Sequence, residues 1–155
     1  MKTHLPAKRS NGGRWFCGPY AIGVVTGRSF EDVRAAVNKR RNRPANTGVC
    51  GMWPIEVEAA LNNLDYGMDK CWSDGGRKKD RITLKKWLEK PRNEGHVYIV
   101  ELTTHYVVVT DNFLIDNHTN GKVHVAYAPH LRSRVKAVYK AFRMNGAGWG
   151  LDITN

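Results

Sequence analysis

The sequence predicts an α+β fold, helices first and an antiparallel sheet after them, from three observations. Apolar residues recur at helical spacing through the first half, as in Phe30, Val33, Ala36 and Val37. The second half instead holds short runs of Val, Ile and Tyr, which suit a pleated, half-buried surface. Between two of those runs stands Asn120-Gly121, a strong signal for a tight hairpin. Helices and strands are segregated along the chain, without βαβ alternation, and this separates α+β from α/β.

The elements follow in order. Residues 1–10 read as an extended arm, because Pro6, Lys8, Arg9 and Ser10 lead into the turn-forming Gly12-Gly13. A first helix begins at Cys17-Gly18-Pro19, since Pro suits a first helical turn, and Gly27 ends it. Ser29-Phe30-Glu31-Asp32 opens a second helix with a capping serine. The basic, Pro-containing stretch from Asn38 to Gly51 reads as a loop. A third helix runs from about Trp53-Pro54 to Leu64, and a short fourth one from Thr83 to Glu89, stopped by Pro91. Cys71 falls in a strand-like segment. Four β-rich runs come next: His96–Leu102, His105–Thr110, Phe113–Asp116 and Lys122–Tyr127. The apolar stretch from Val135 to Met144 fits a strand or a helix equally.

With 155 residues, 41% of them hydrophobic, the chain fits one domain spanning 1–155 that can bury a core without disulfides or a structural metal. No apolar run approaches the roughly 20 residues of a bilayer span, and the basic N-terminus lacks the apolar stretch of a secretory signal. The expectation is a soluble, cytoplasmic protein with no membrane partner. Three cysteines without a Cys-x-x-Cys pair argue against a disulfide framework and weaken a zinc-site reading. The formal charge of +11 gathers in Lys39–Arg43, Arg77–Arg81 and Arg132–Lys136. Such an excess favours acidic partners and, on charge alone, admits nucleic acid. A solvated basic surface explains it equally well.

A catalytic thiol needs a depressed pKa and a base. Cys17 stands at the start of the first helix, where the helix dipole favours a thiolate. Cys50 also precedes a helix and competes with it on position alone, whereas Cys71 reads as structural. His105 opens a β-rich run and is the candidate base. If Asp111-Asn112 forms a two-residue hairpin turn, Thr110 pairs with Phe113. Continued outward, that register puts His105 opposite His118 and Asp116 opposite Val107. His105 and Asp116 then share a face as diagonal neighbours, so Asp116 can orient the imidazole. One further loop residue would promote Asn117 instead.

Cys17-Gly18-Pro19-Tyr20-Ala21, the Thr26-Gly27 break and the capped helix after it resemble the nucleophile segment of papain-like cysteine peptidases. The nearest resemblance is to the bacteriocin-leader-processing branch and its relatives. There the histidine also opens a late strand and meets an Asp or Asn in the next, as His105-Tyr106-Val107-Val108-Val109 and Ile115-Asp116-Asn117 do here. The resemblance spans about Asn11 to Ala128 and selects Cys17 over Cys50. It implies a papain-like fold and a cysteine hydrolase acting on an amide bond of a protein or peptide through a thioester. It also implies an oxyanion-hole amide shortly before the nucleophile; Asn11 occupies that position where the family usually has Gln. No cofactor is implied. The usual nucleophile context of peptidoglycan-cleaving cysteine amidases is absent, since Phe16 precedes Cys17.

The alternatives are a basic nucleic-acid-binding module and a catalytically degenerate fold retained for protein binding. A metal site is disfavoured: His118, His124 and His130 are evenly spaced, which along a strand shares a face without bringing the rings together.

Overall fold

The computed structural model describes residues 16–119 and 121–144; Asn11 and Asn120 lie outside them. Among the described residues the fold is α+β, and the helices precede most of the sheet. The helices are α1 (Cys17–Thr26), α2 (Phe30–Arg41), α3 (Pro54–Asn63) and α4 (Leu84–Leu88). The strands are β1 (Tyr66–Ser73), β2 (Val97–Leu102), β3 (Tyr106–Thr110), β4 (Phe113–Ile115), β5 (Val123–His124) and β6 (Val135–Arg143). They form one antiparallel sheet in the order β1-β6-β2-β3-β4-β5.

Local chemistry sets the helix ends. Gly27 takes φ +72°, and its N–H closes α1 on the Gly23 carbonyl at 2.9 Å, a left-handed cap that glycine adopts without a Cβ clash. Ser29 caps α2 by accepting from the Asp32 N–H, and Thr83 caps α4 by accepting from the Lys86 N–H. At α3, Pro54 occupies the first turn while Glu56 reaches back to the Trp53 N–H at 3.0 Å. The α2 helix departs from the expected loop after Val37. It continues to Arg41 because Asn38 is buried inside it, its amide donating to the Ala45 and Thr47 carbonyls at 3.1 and 2.7 Å. That side chain ties the following loop to the helix. Arg41 then holds Glu56 of α3 at 2.6 Å and also donates to the Gly51 carbonyl.

Both faces of the sheet are covered, which is why β2 and β3 are buried along their whole length. On one face Val97, Ile99, Tyr106, Val108 and Ile115 pack with Ile22, Val25, Val33, Val57 and Leu61 of α1–α3. On the other, Tyr98, Val100, Val107, Val109 and Leu114 pack with Leu84 and Trp87. The stretch from Val135 is a strand. It inserts between β1 and β2, so the sheet is not a simple meander. The expected strand at Lys122–Tyr127 shrinks to Val123–His124, and Val125–Tyr127 forms a 3-10 turn in its place. Cys71 lies at the register shift of β1 between Lys70 and Trp72, a bulged position. No helix among the described residues is long and apolar enough to cross a membrane.

Candidate active site

The β3–β4 hairpin has the register read from the sequence: Thr110 pairs with Phe113, Val109 with Leu114 and Val108 with Ile115. Asp111 takes φ +49° in the connecting turn, a left-handed conformation that Asp tolerates better than most residues. At the far end, His105 immediately precedes β3 and Asp116 immediately follows β4. His105 is held by the tight β2–β3 turn, where its carbonyl accepts from the Leu102 N–H at 2.7 Å. The two side chains meet with His105 Nε2 2.6 Å from Asp116 Oδ2. It is Asp116, rather than Asn117, that engages the imidazole.

Helix α1 packs on β3 and brings its N-terminus to the other edge of that imidazole. The Cys17 thiol stands beside His105 and the backbone N–H groups of Tyr106 and Gly18, all of which favour its thiolate. With Nε2 engaged by Asp116, the ring nitrogen left for Cys17 is Nδ1. Phe16, the residue capping α1, supplies no side-chain cap, so the sulfur stands where a helix N-terminus has N–H groups to offer. The Tyr106 hydroxyl donates to the Met52 carbonyl at 3.0 Å. Gly18 faces Met52 so closely that an added Cβ would lie 3.0 Å from its sulfur. The loop before α3 is thereby fixed beside the thiol.

The carboxylate is the best-held group in the site. Its side chain is fully buried. Oδ1 accepts from the His118 and Thr119 N–H groups, each at 2.9 Å, and Thr119 Oγ1 accepts from the Asp116 N–H at 3.1 Å. Oδ2 takes two imidazoles, His105 at 2.6 Å and His130 at 2.9 Å.

These contacts set the charges. Burial opposes ionisation of Asp116, but the His105 hydrogen bond and the His118 N–H outweigh it and bring the carboxyl down to about 2. For His105 burial opposes the imidazolium, yet the hydrogen bonds with Asp116 and Cys17 raise it to about 9. Burial likewise pushes the Cys17 thiol up, and the His105 hydrogen bond and the Tyr106 N–H more than reverse it, leaving it below its ordinary value. Cys71 is moved the other way, upward, by burial. The arrangement thus favours a thiolate–imidazolium pair at Cys17 and His105.

Of the residues singled out in the sequence, Cys17, His105 and Asp116 come together, and Asn11 lies outside the described residues. Cys50 is exposed in the loop before α3. The expectation that evenly spaced histidines stay apart is corrected for two of the three. His118 and His130 gather around His105, with ring centroids 5.3 and 4.7 Å from it and 6.0 Å from each other. His124 instead packs against Phe113. The physical reason is that residues 118–130 do not form one strand; the 3-10 turn at Val125–Tyr127 and a left-handed His130 (φ +66°) turn the chain back toward the hairpin. His105, Asp116 and His130 each offer a ligand atom, all within 4.8 Å of one another, a set that shares only His130 with the three histidines weighed in the sequence. No family model matches the chain, and no curated protein matches it in sequence.

Proposed function

We propose that this protein is a papain-like cysteine hydrolase that cleaves an amide bond of a protein or peptide through Cys17, His105 and Asp116. The observation that supports this most is His105 held by a buried carboxylate at 2.6 Å, with the Cys17 thiol beside the same imidazole. His105 takes the thiol proton, and the Cys17 sulfur attacks the carbonyl carbon. The tetrahedral intermediate collapses to a thioester as His105 returns the proton to the leaving amine. Water then attacks the thioester, giving its proton to His105, and the sulfur leaves as thiolate. Asp116 keeps Nε2 protonated and the ring aimed throughout. The Cys17 backbone N–H and the Asn11 amide are the proposed oxyanion donors, each contributing about 3–4 kcal/mol to such a transition state.

The direct test is alkylation with iodoacetamide at neutral pH, followed by mapping of the modified cysteine. Selective labelling of Cys17, abolished in His105→Ala, supports the reading. Preferential labelling of Cys50 or Cys71, or uniform slow labelling of all three, overturns it. Screening of a peptide library with wild type and Cys17→Ala then defines the substrate.

A second reading, a basic nucleic-acid- or protein-binding module on a catalytically degenerate fold, draws on one juxtaposition. Thr83 bridges to Arg134, and the Arg134 side chain donates to the Arg81 carbonyl at 3.3 Å, so two of the three basic groups adjoin. Salt-dependent nucleic-acid binding retained by Cys17→Ala, together with an unreactive wild-type thiol, would favour it.

A further inference from the structure

The Asp116 carboxylate oxygen between two imidazoles does more than a Cys–His relay requires. One imidazole suffices to be oriented, yet His130 is brought to the same atom at 2.9 Å through a left-handed backbone. Non-glycine residues pay for that conformation with about 1 kcal/mol or more, and it recurs at sites where surrounding structure enforces it.

We propose that His105 Nε2, Asp116 Oδ2 and His130 Nε2 form a binding site for a divalent cation of the zinc class. Two imidazoles and one carboxylate are a donor set that such an ion takes, leaving a fourth position open. Ligand atoms around a tetrahedral zinc lie roughly 3.3 Å apart, from bond lengths of about 2.0–2.1 Å. The present separations of 2.6 and 2.9 Å from Oδ2 must open by several tenths of an ångström to admit the ion, and all three ligand atoms already lie within 4.8 Å of one another. The supporting contacts that such sites use are already made, since Oδ1 is fixed by the His118 and Thr119 N–H groups. The His118 ring flanks both ligand imidazoles.

The consequence for chemistry follows from the two edges of His105. The cation binds on the Nε2 edge, away from Cys17. Each ligand imidazole gives up its Nε2 proton, to solvent from an imidazolium or to Nδ1 by tautomer exchange. Starting from the thiolate–imidazolium pair, His105 then keeps its Nδ1 proton toward the Cys17 sulfur, so the ion takes the place of the Nε2 proton and the pair persists. This consequence rests on the hydrolase reading; the binding site does not.

The test uses the full chain and Zn²⁺ alone. Calorimetric titration of Cys17→Ala is expected to show one saturable site, weakened at least about 100-fold in His130→Gln, beyond the usual cost of losing a supporting partner. Gln keeps a donor for Asp116 but is a poor zinc ligand, and circular dichroism checks that both variants fold. Absence of saturable binding, or equal binding by His130→Gln, overturns the site. In wild type, Cys17 is expected to stay open to alkylation at saturating Zn²⁺; protection of the thiol there would put the ion on Cys17 and overturn the assigned ligands. An unreactive Cys17 accompanied by a normal titration overturns the hydrolase reading and leaves the site standing.

Discussion

Replacing Asp116 with Asn isolates what the buried carboxylate does for the thiol. The substitution is isosteric, and its single carbonyl can still accept from the His118 and Thr119 N–H groups that bond Oδ1, so the turn after β4 is preserved. What is lost is the charge beside Nε2. His105 is raised from 6.5 to about 9, which corresponds to about 3 kcal/mol favouring the imidazolium. Asp116 and Cys17 share that stabilisation against the opposing effect of burial. If Asp116 supplies between one unit and all of it, the thiolate–imidazolium population at neutral pH falls by roughly 10-fold to 300-fold. The assay is the second-order rate of iodoacetamide labelling at Cys17 from pH 5 to 10, in metal-free buffer. Wild type is expected to react well below the ordinary thiol range, whereas Asp116→Asn is expected to be slow at neutral pH and to recover as the free thiol ionises. An unchanged rate profile in Asp116→Asn, with the fold intact by circular dichroism, would refute the coupling.

Two further predictions concern stability. A raised His105 stabilises the fold fully below pH 6.5 and loses that contribution as pH rises through about 9; the lowered Asp116 contributes fully above pH 3.8 and loses it toward about 2. The two groups share the His105–Asp116 contact, so stability should plateau between those limits and fall by about 2–3 kcal/mol from pH 6.5 to 9. Urea midpoints measure this, and an equal fall in Asp116→Asn would show that other groups cause it. The second concerns Gly67 in β1, paired with Phe142 of β6. A Cβ there would stand 2.6 and 2.8 Å from the Phe142 ring, so Gly67→Ala should cost about 1–2 kcal/mol after its backbone-entropy gain is subtracted. Adding Phe142→Ala should abolish that increment in a double-mutant cycle; strict additivity would sink the explanation.

What was legible in the sequence was what repeats or punctuates. Ser29, Thr83 and Gly27 mark helix ends because their side chains, or the lack of one, meet backbone needs that do not depend on tertiary contacts. The β3–β4 register was legible for a similar reason: a two-residue turn fixes which residues face each other, and parity then carries His105 and Asp116 to one face. The run from Val135 was ambiguous because β6 is covered on both faces. Val135 and Val138 face one core while Ala137, Tyr139 and Ala141 face the other, so no polar alternation announces a strand. Asn38 misled for the opposite reason, being a loop-favouring residue whose buried amide is satisfied by carbonyls beyond the helix end.

His130 was hidden more deeply, and its case shows where periodicity stops being informative. Even spacing from His118 to His130 suggested a strand that would hold the rings apart, and parity reasoning is valid only while the chain stays extended. A 3-10 turn and one residue at positive φ break that condition. After such a break, the direction of a side chain depends on the particular dihedrals of each residue rather than on a repeat. The Ser133 N–H donating to the His130 carbonyl at 2.9 Å helps hold that turn, and its sequence carries no apolar pattern to reveal it. The residues of the relay were therefore readable because a hairpin delivers two of them. The residue that sets the proposed cation site apart from a simple relay was not, because an aperiodic turn delivers it.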